Sequence, residues 1–306
     1  MSSVSLDPAQ TAGIRRKANT EFKKRLYGAQ QEVIALINAI QTRAKVIPDA
    51  IQVNKTVYEW LIDSFGRKQA NIEIERIINR WLQTSGNERD NFFSSYIEDS
   101  YRKGSITSAM RVQLLAGQAG YEESLLQQLE AIQVINSFDY QQRLNVQFTN
   151  AFAEMKGFSQ STIDDISRVI SSVITGGKSP RQAQREIKKR FHVANARAER
   201  IARTEVNRSN SLARLEQNKQ SRDKLGINVQ IVHRSALKFD ATRKTHGLRH
   251  GTIHTIEDQA AWWDEGTNRI NCLCSSTEVV LNKEGKPFDG GLIPKFESQR
   301  IAHYGK

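Results

Sequence analysis

Nowhere in this chain is there a run of about eighteen apolar residues, the length a helix needs to cross a bilayer. No membrane span is expected. The opening stretch, "MSSVSLDPAQTAGIRRKANTEFKK", also lacks an apolar core of signal-peptide length, so a soluble, intracellular setting is expected. Cysteine is scarce: two residues, Cys272 and Cys274, in a chain of 306. Two thiols build no disulfide framework for a chain this long, and a C-x-C pair is poorly shaped for a bridge, so reduced thiols are expected. Acidic residues fall short of basic ones, 33 against 45, which leaves a net charge of +12 and a pI near 9.7. That imbalance predicts attraction to polyanions, either nucleic acid or an acidic protein surface. Internal repeats and low-complexity tracts are absent as well. What remains is a polar but foldable composition, 38% apolar, with enough length for two domains.

The first half reads as helix. "FKKRLYGAQQEVIALINAIQTRAKV" places Leu26, Val33, Ile37 and Ile40 near helical spacing, with Pro48 as the expected stop. "TVYEWLIDSFGRKQANIEIERIINRWLQTSG" predicts a second helix ending at Ser85-Gly86, and later helices are expected to break at Gly104 and Gly120. Trp60, Phe65, Trp81, Phe92, Phe93 and Tyr96 are expected in the core.

From Ser159 three helices are expected, the first capped by Ser161 or Thr162 and the second by Ser179 with Pro180 at its first position. Between Gly176 and Lys224 fourteen Lys and Arg residues face five acidic ones. Lys178, Arg181, Arg185, Lys188, Lys189 and Arg190 open that run and are the candidate contacts to DNA or an acidic partner. "GGKS" at 176–179 is no phosphate-binding loop, because the required first glycine is Ser172 and the preceding stretch is helical rather than a strand. After Gly226 the pattern changes. "INVQIVHRS" and "STEVVLN" predict two strands joined by a long His-rich loop.

That loop concentrates the chemistry. His233, His246, His250 and His254, four of the six histidines, lie with both cysteines between positions 233 and 274. Three readings are open. Zinc would draw on Cys272, Cys274 and one or two of His246, His250, His254 and His233, with His246 the first candidate, since imidazole and thiolate are the ligands it prefers. A hydrolase would use His246 as general base, Asp240 to orient it and Arg243 on a phosphate. A structural network would join Asp240, Arg243 and His246 by hydrogen bonds and bury the thiols as small apolar groups. The last is the expectation, with no cofactor.

The order of these elements resembles the phage head morphogenesis family, the Mu F-like and SPP1 gp7-like minor capsid proteins. Its helix with an A-R-T-E core is matched by Ala202, Arg203, Thr204 and Glu205. Its D-x-R-x-x-H element with a following glycine is matched by Asp240, Arg243, His246 and Gly251. Its C-R-C is matched by Cys272 and Cys274, with Leu273 between them in place of arginine. With the resemblance covering about residues 160–280, the chain reads as a mainly α protein in three parts. These are a helical N-terminal region at 1–158, a morphogenesis domain of basic helices and a small β unit at 159–283, and a C-terminal tail at 284–306. The resemblance implies a non-enzymatic minor head protein inside the virion near the portal vertex, assembled in the host cytoplasm. Its expected partners are the portal protein, scaffold or major capsid protein, and packaged double-stranded DNA without sequence preference. A metal-dependent nuclease or other hydrolase is the alternative.

Overall fold

The computed structural model describes residues 7–48, 54–238 and 242–305. Among them the chain forms ten helices and six strands. In order these are α1 (Ala12–Asn38), β1 (Thr42–Pro48), β2 (Asn54–Trp60), α2 (Ser64–Leu82), α3 (Ser94–Gln118), the short α4 (Glu123–Gln127) and α5 (Ala131–Asn136), and α6 (Phe138–Thr175). There follow α7 (Pro180–Leu225), β3 (Val229–Arg234), α8 (Lys244–Leu248), β4 (Ile253–His254), α9 (Ile256–Asp264), β5 (Ser275–Leu281), β6 (Pro287–Phe288) and α10 (Leu292–Tyr304). The protein is mainly α with small antiparallel sheets, as expected. No described helix is long and apolar enough to cross a membrane.

The chain packs as two units. One takes the residues up to Lys17, Ser95–Thr149 and everything from Arg200; the other takes Ala18–Ser94 and Asn150–Glu199. The second unit is built on helix stripes. Phe22, Leu26, Ala29, Val33 and Ile37 of α1 are buried with Ile74, Ile77, Ile78 and Leu82 of α2 and Ile187 and Phe191 of α7. Phe22 meets Phe158 of α6 edge-on at 6.0 Å between ring centres and Phe93 at 5.3 Å, geometries aromatic pairs favour. The hairpin β1–β2 belongs to this unit and corrects the expected helix run to Pro48. Helix α1 ends at Asn38, and Thr42 to Pro48 pairs antiparallel with Asn54 to Trp60. Trp60 is buried as expected, and its Nε1 donates to the Lys178 carbonyl at 2.9 Å. Phe65 is not core: it is 67% exposed.

Two expected features of the helical region resolve differently. Ser161 and Thr162 cap nothing, because α6 runs through them; both hydroxyls donate back to the Phe158 carbonyl, at 3.0 and 2.8 Å. Ser179 does cap α7. Its Oγ accepts from the Gln182 amide at 3.2 Å while Gln182 Oε1 accepts from the Ser179 amide at 2.7 Å, a reciprocal capping box with Pro180 as first helical residue. The expected second and third helices are one, 46 residues long.

In the first unit the four-stranded sheet has the order β4-β3-β5-β6. The pairing of β3 with β5 runs from Val229↔Val280 to Arg234↔Ser275. Val229 and Val280 are buried with Val112, Leu115 and Ala116 of α3. Val232 and Val279 are covered instead by Phe296 of α10, so the presumed tail at 284–306 contributes a helix to the core. Gly104 does not break α3. An added Cβ there would stand 2.4 Å from the Asn210 carbonyl oxygen and 2.9 Å from the Ala213 Cβ, so its bareness is what lets α3 approach α7. Ser100 and Ser108, one turn to either side, complete the small stripe and bond to the Val206 carbonyl and Asn218 Oδ1 at 2.6 and 2.8 Å.

Candidate functional site

The long connection from β3 to β5 folds back on the sheet. Strand β4 pairs with β3 through Ile231↔His254, and α9 is capped by Thr255, whose hydroxyl accepts from the Asp258 amide at 3.0 Å. Helix α8 delivers His246 to the turn that precedes β5. There its Nδ1 lies 3.4 Å from Cys272 Sγ and 3.5 Å from Cys274 Sγ, and all three side chains are buried. Trp262 of α9 closes the pocket, standing edge-on to the imidazole at 4.7 Å between ring centres. The Cys274 amide donates to Cys272 Sγ at 3.2 Å. The Cys274 thiol beside it holds the Cys272 pKa well below the ordinary thiol value, with His246 adding to the effect, while the Cys272 sulfur and burial push Cys274 well above it.

The A-R-T-E segment of α7 grips the same turn from below. Asn271 has a left-handed backbone, φ +55°, unusual for a residue with a side chain. Its amide donates to Thr204 Oγ1 at 2.9 Å, and Arg203 donates to its side-chain oxygen at 3.1 Å. Two residues beyond the motif, Asn207 donates to the Cys272 carbonyl at 2.6 Å. Glu205 is buried and lies 3.7 Å from Arg208. The helix motif and the C-x-C motif, some seventy residues apart in sequence, are thus halves of one arrangement.

Residues 164–277 match the model for the phage Mu protein F like family. This segment is similar to that family's proteins. No curated protein and no solved structure shows significant similarity to the chain. The match bears out the resemblance to head morphogenesis proteins.

Within the Mu F-like segment the remaining motif residues have plain structural duties. Arg243 donates to the carbonyls of Thr267, Asn268 and Ile270 at 2.6, 3.1 and 2.9 Å, which ties the start of α8 to the turn before the cysteines. The expected partner Asp240 lies outside the described residues. Gly251 has φ +81°, and a Cβ there would meet Phe296 Cβ at 2.9 Å, so both backbone conformation and the close approach of α10 demand glycine. The regular spacing of His246, His250 and His254 does not align them, because helix covers only Lys244 to Leu248. His250 turns toward α10. Its Nδ1 accepts from the Ser235 amide at 2.9 Å, so Nε2 carries the hydrogen and donates to Gln299 Oε1 at 3.1 Å. Burial pushes its pKa down to about 4. His254 bonds Asp258 and Thr252, at 2.7 and 2.6 Å. His233 packs beside Trp262 and Gln259, and its complete burial lowers its pKa well below the ordinary histidine value.

The basic run is not one face. Arg214 is buried in an ion pair with Glu278 of β5 at 3.2 Å, and Arg222 bonds Glu257 at 2.8 Å and Asp223 at 2.8 Å. The six expected contact residues divide. Arg181, Arg185 and Lys188, on one side of α7, line a cleft of ≈ 670 Å³ with Gln182, Gln184, Ser179 and Thr56 and Tyr58 of β2. Among the described residues no carboxylate lines it. Lys178 and Arg190 line a second cleft of ≈ 400 Å³ that also holds Asp165 and Glu186, and Lys189 pairs with Glu186 at 3.3 Å. Arg181, Arg185 and Lys188 thus share one cleft, apart from the acidic residues of the second.

Proposed function

We propose that this chain is a minor head protein that docks on the portal as the procapsid assembles, stays inside the virion near that vertex and lies against packaged DNA. The observation that carries the reading is the Mu F-like match over 164–277, within which His246, Cys272 and Cys274 converge in one buried cluster. The hydrolase alternative has less support. Arg243, its candidate phosphate contact, is committed to three carbonyls, and its candidate base His246 faces two thiols. Scaffold and major capsid protein remain secondary partners of the same assembly step.

Co-expression with the portal protein of the same phage tests the docking. The two should co-purify and elute together at micromolar concentration and moderate salt. Separate elution would remove the main support for assembly on the portal.

DNA contact is assigned to the uncompensated cleft of Arg181, Arg185 and Lys188. Binding to duplex DNA should be independent of sequence and steeply salt-dependent, because each neutralised phosphate releases counterions. Replacing all three by alanine should reduce the slope of log K against log salt by roughly 2–3, about 0.9 per lost phosphate contact. An unchanged slope would assign the cleft to an acidic protein partner instead.

A further inference from the structure

We propose that Cys272, Cys274 and His246 hold a structural zinc ion that fastens α8 to the start of β5. Their geometry is that of three corners of a tetrahedral site. Zinc–sulfur bonds of about 2.3 Å and zinc–nitrogen bonds of about 2.0–2.1 Å at tetrahedral angles separate sulfur from nitrogen by roughly 3.5 Å. The two sulfurs lie 3.4 and 3.5 Å from the same imidazole nitrogen, and all three ligand atoms fall within 4.8 Å of one another. One nitrogen cannot give its single hydrogen to both sulfurs in well-formed bonds, whereas one cation satisfies all three donors at once. The donor set, two thiols and an imidazole, suits zinc better than the hard cations that select oxygen.

Two surrounding features belong to a ligand shell. The Cys274 amide points at Cys272 Sγ, the bond that commonly steadies a metal thiolate. Asn207 and Thr204 fix the turn that carries the cysteines from the α7 side. The His246 ring is packed edge-on against Trp262, with Nδ1 the nitrogen aimed at both sulfurs. Binding displaces both thiol protons, and water or another oxygen or nitrogen donor completes the fourth position. Because the ion joins residue 246 to residue 272, it closes the part of the long connection that the sheet does not hold. Burial of every ligand argues for a fastening role rather than a reactive one.

The test uses the full chain, grown with zinc supplied and purified with neither added metal nor chelator. Elemental analysis should find about one zinc per chain, and X-ray absorption should show two sulfurs at about 2.3 Å with lighter donors at about 2.0–2.1 Å. Cys272→Ser and Cys274→Ser should lose the metal; His254→Gln, outside the site, should keep it. Should the serine variants fail to fold, the wild-type spectrum decides alone. A strong chelator should lower the wild-type melting temperature by about 10 °C, reversed by zinc, since metal binding is folding free energy. Zinc well below stoichiometric in folded protein whose melting point ignores added zinc would overturn the proposal. So would a metal bound through nitrogen and oxygen only.

Discussion

Replacing Glu278 by glutamine should lower the melting temperature by about 10 °C. The carboxylate is completely buried on β5 and faces Arg214 of α7, itself 8% exposed, at 3.2 Å. Removing one member of a buried pair costs roughly 3–5 kcal/mol, because the other charge is left in a poor solvent without compensation. At about 2–4 °C per kcal/mol for a chain of this size, the shift follows. The two single variants should differ. Glu278 also acts on Arg111 and Arg234, so the glutamine weakens the charge compensation of three guanidinium groups, of which Arg111 keeps Asp289. Arg214→Met leaves the carboxylate with two cationic neighbours and should cost less. Arg214 also donates to the Ser276 carbonyl at 3.0 Å, so methionine is not free of cost. Thermal melts of both variants decide it: equal losses, or a glutamine variant melting within about a degree of wild type, would contradict this placement of charge.

The second large effect is a change of sign. Glycine in a helix interior is ordinarily less stable than alanine by about 1 kcal/mol. Gly157 in α6 should obey that rule, since an added methyl there meets nothing within 4 Å. Gly104 in α3 should reverse it. Its methyl would press on the Asn210 carbonyl and Ala213 of α7, backbone and a stub side chain that have no room to turn away. Such overpacking costs typically 1–3 kcal/mol or more, so Gly104→Ala should melt several degrees lower and Gly157→Ala slightly higher. A stabilised Gly104→Ala would mean that α3 and α7 lie farther apart than described.

How much of this was legible in the sequence varied with the range of the interaction. Local chemistry was readable: the Ser179-Pro180 start of α7, the alternation of Val229 and Ile231, and the buried run of β5 all stand where periodicity and capping placed them. The family order of motifs was readable too, but not that Arg203 and Thr204 of the helix motif hold the turn before the cysteines. What escaped was set by partners distant in sequence. Gly104 looks like a helix break until α7 is seen against it. Arg214 looks like one more surface cation until Glu278 is found opposite. The hairpin of β1 and β2 escaped because its short apolar runs continued the helical spacing on either side, though the β-branched and aromatic residues of "KTVYEW" carried a strand signal. Nothing local marks Asn207 or Trp262 as neighbours of the cysteines. Their role appears only when the connection between β3 and β5 closes.

The most direct measurement of the central claim is quantification of this chain in purified procapsids assembled with and without portal protein. The account predicts a few copies in portal-containing procapsids, retained in mature DNA-filled heads, and loss of the chain from portal-less shells. Equal incorporation without portal, or recovery only outside the particles, would contradict it.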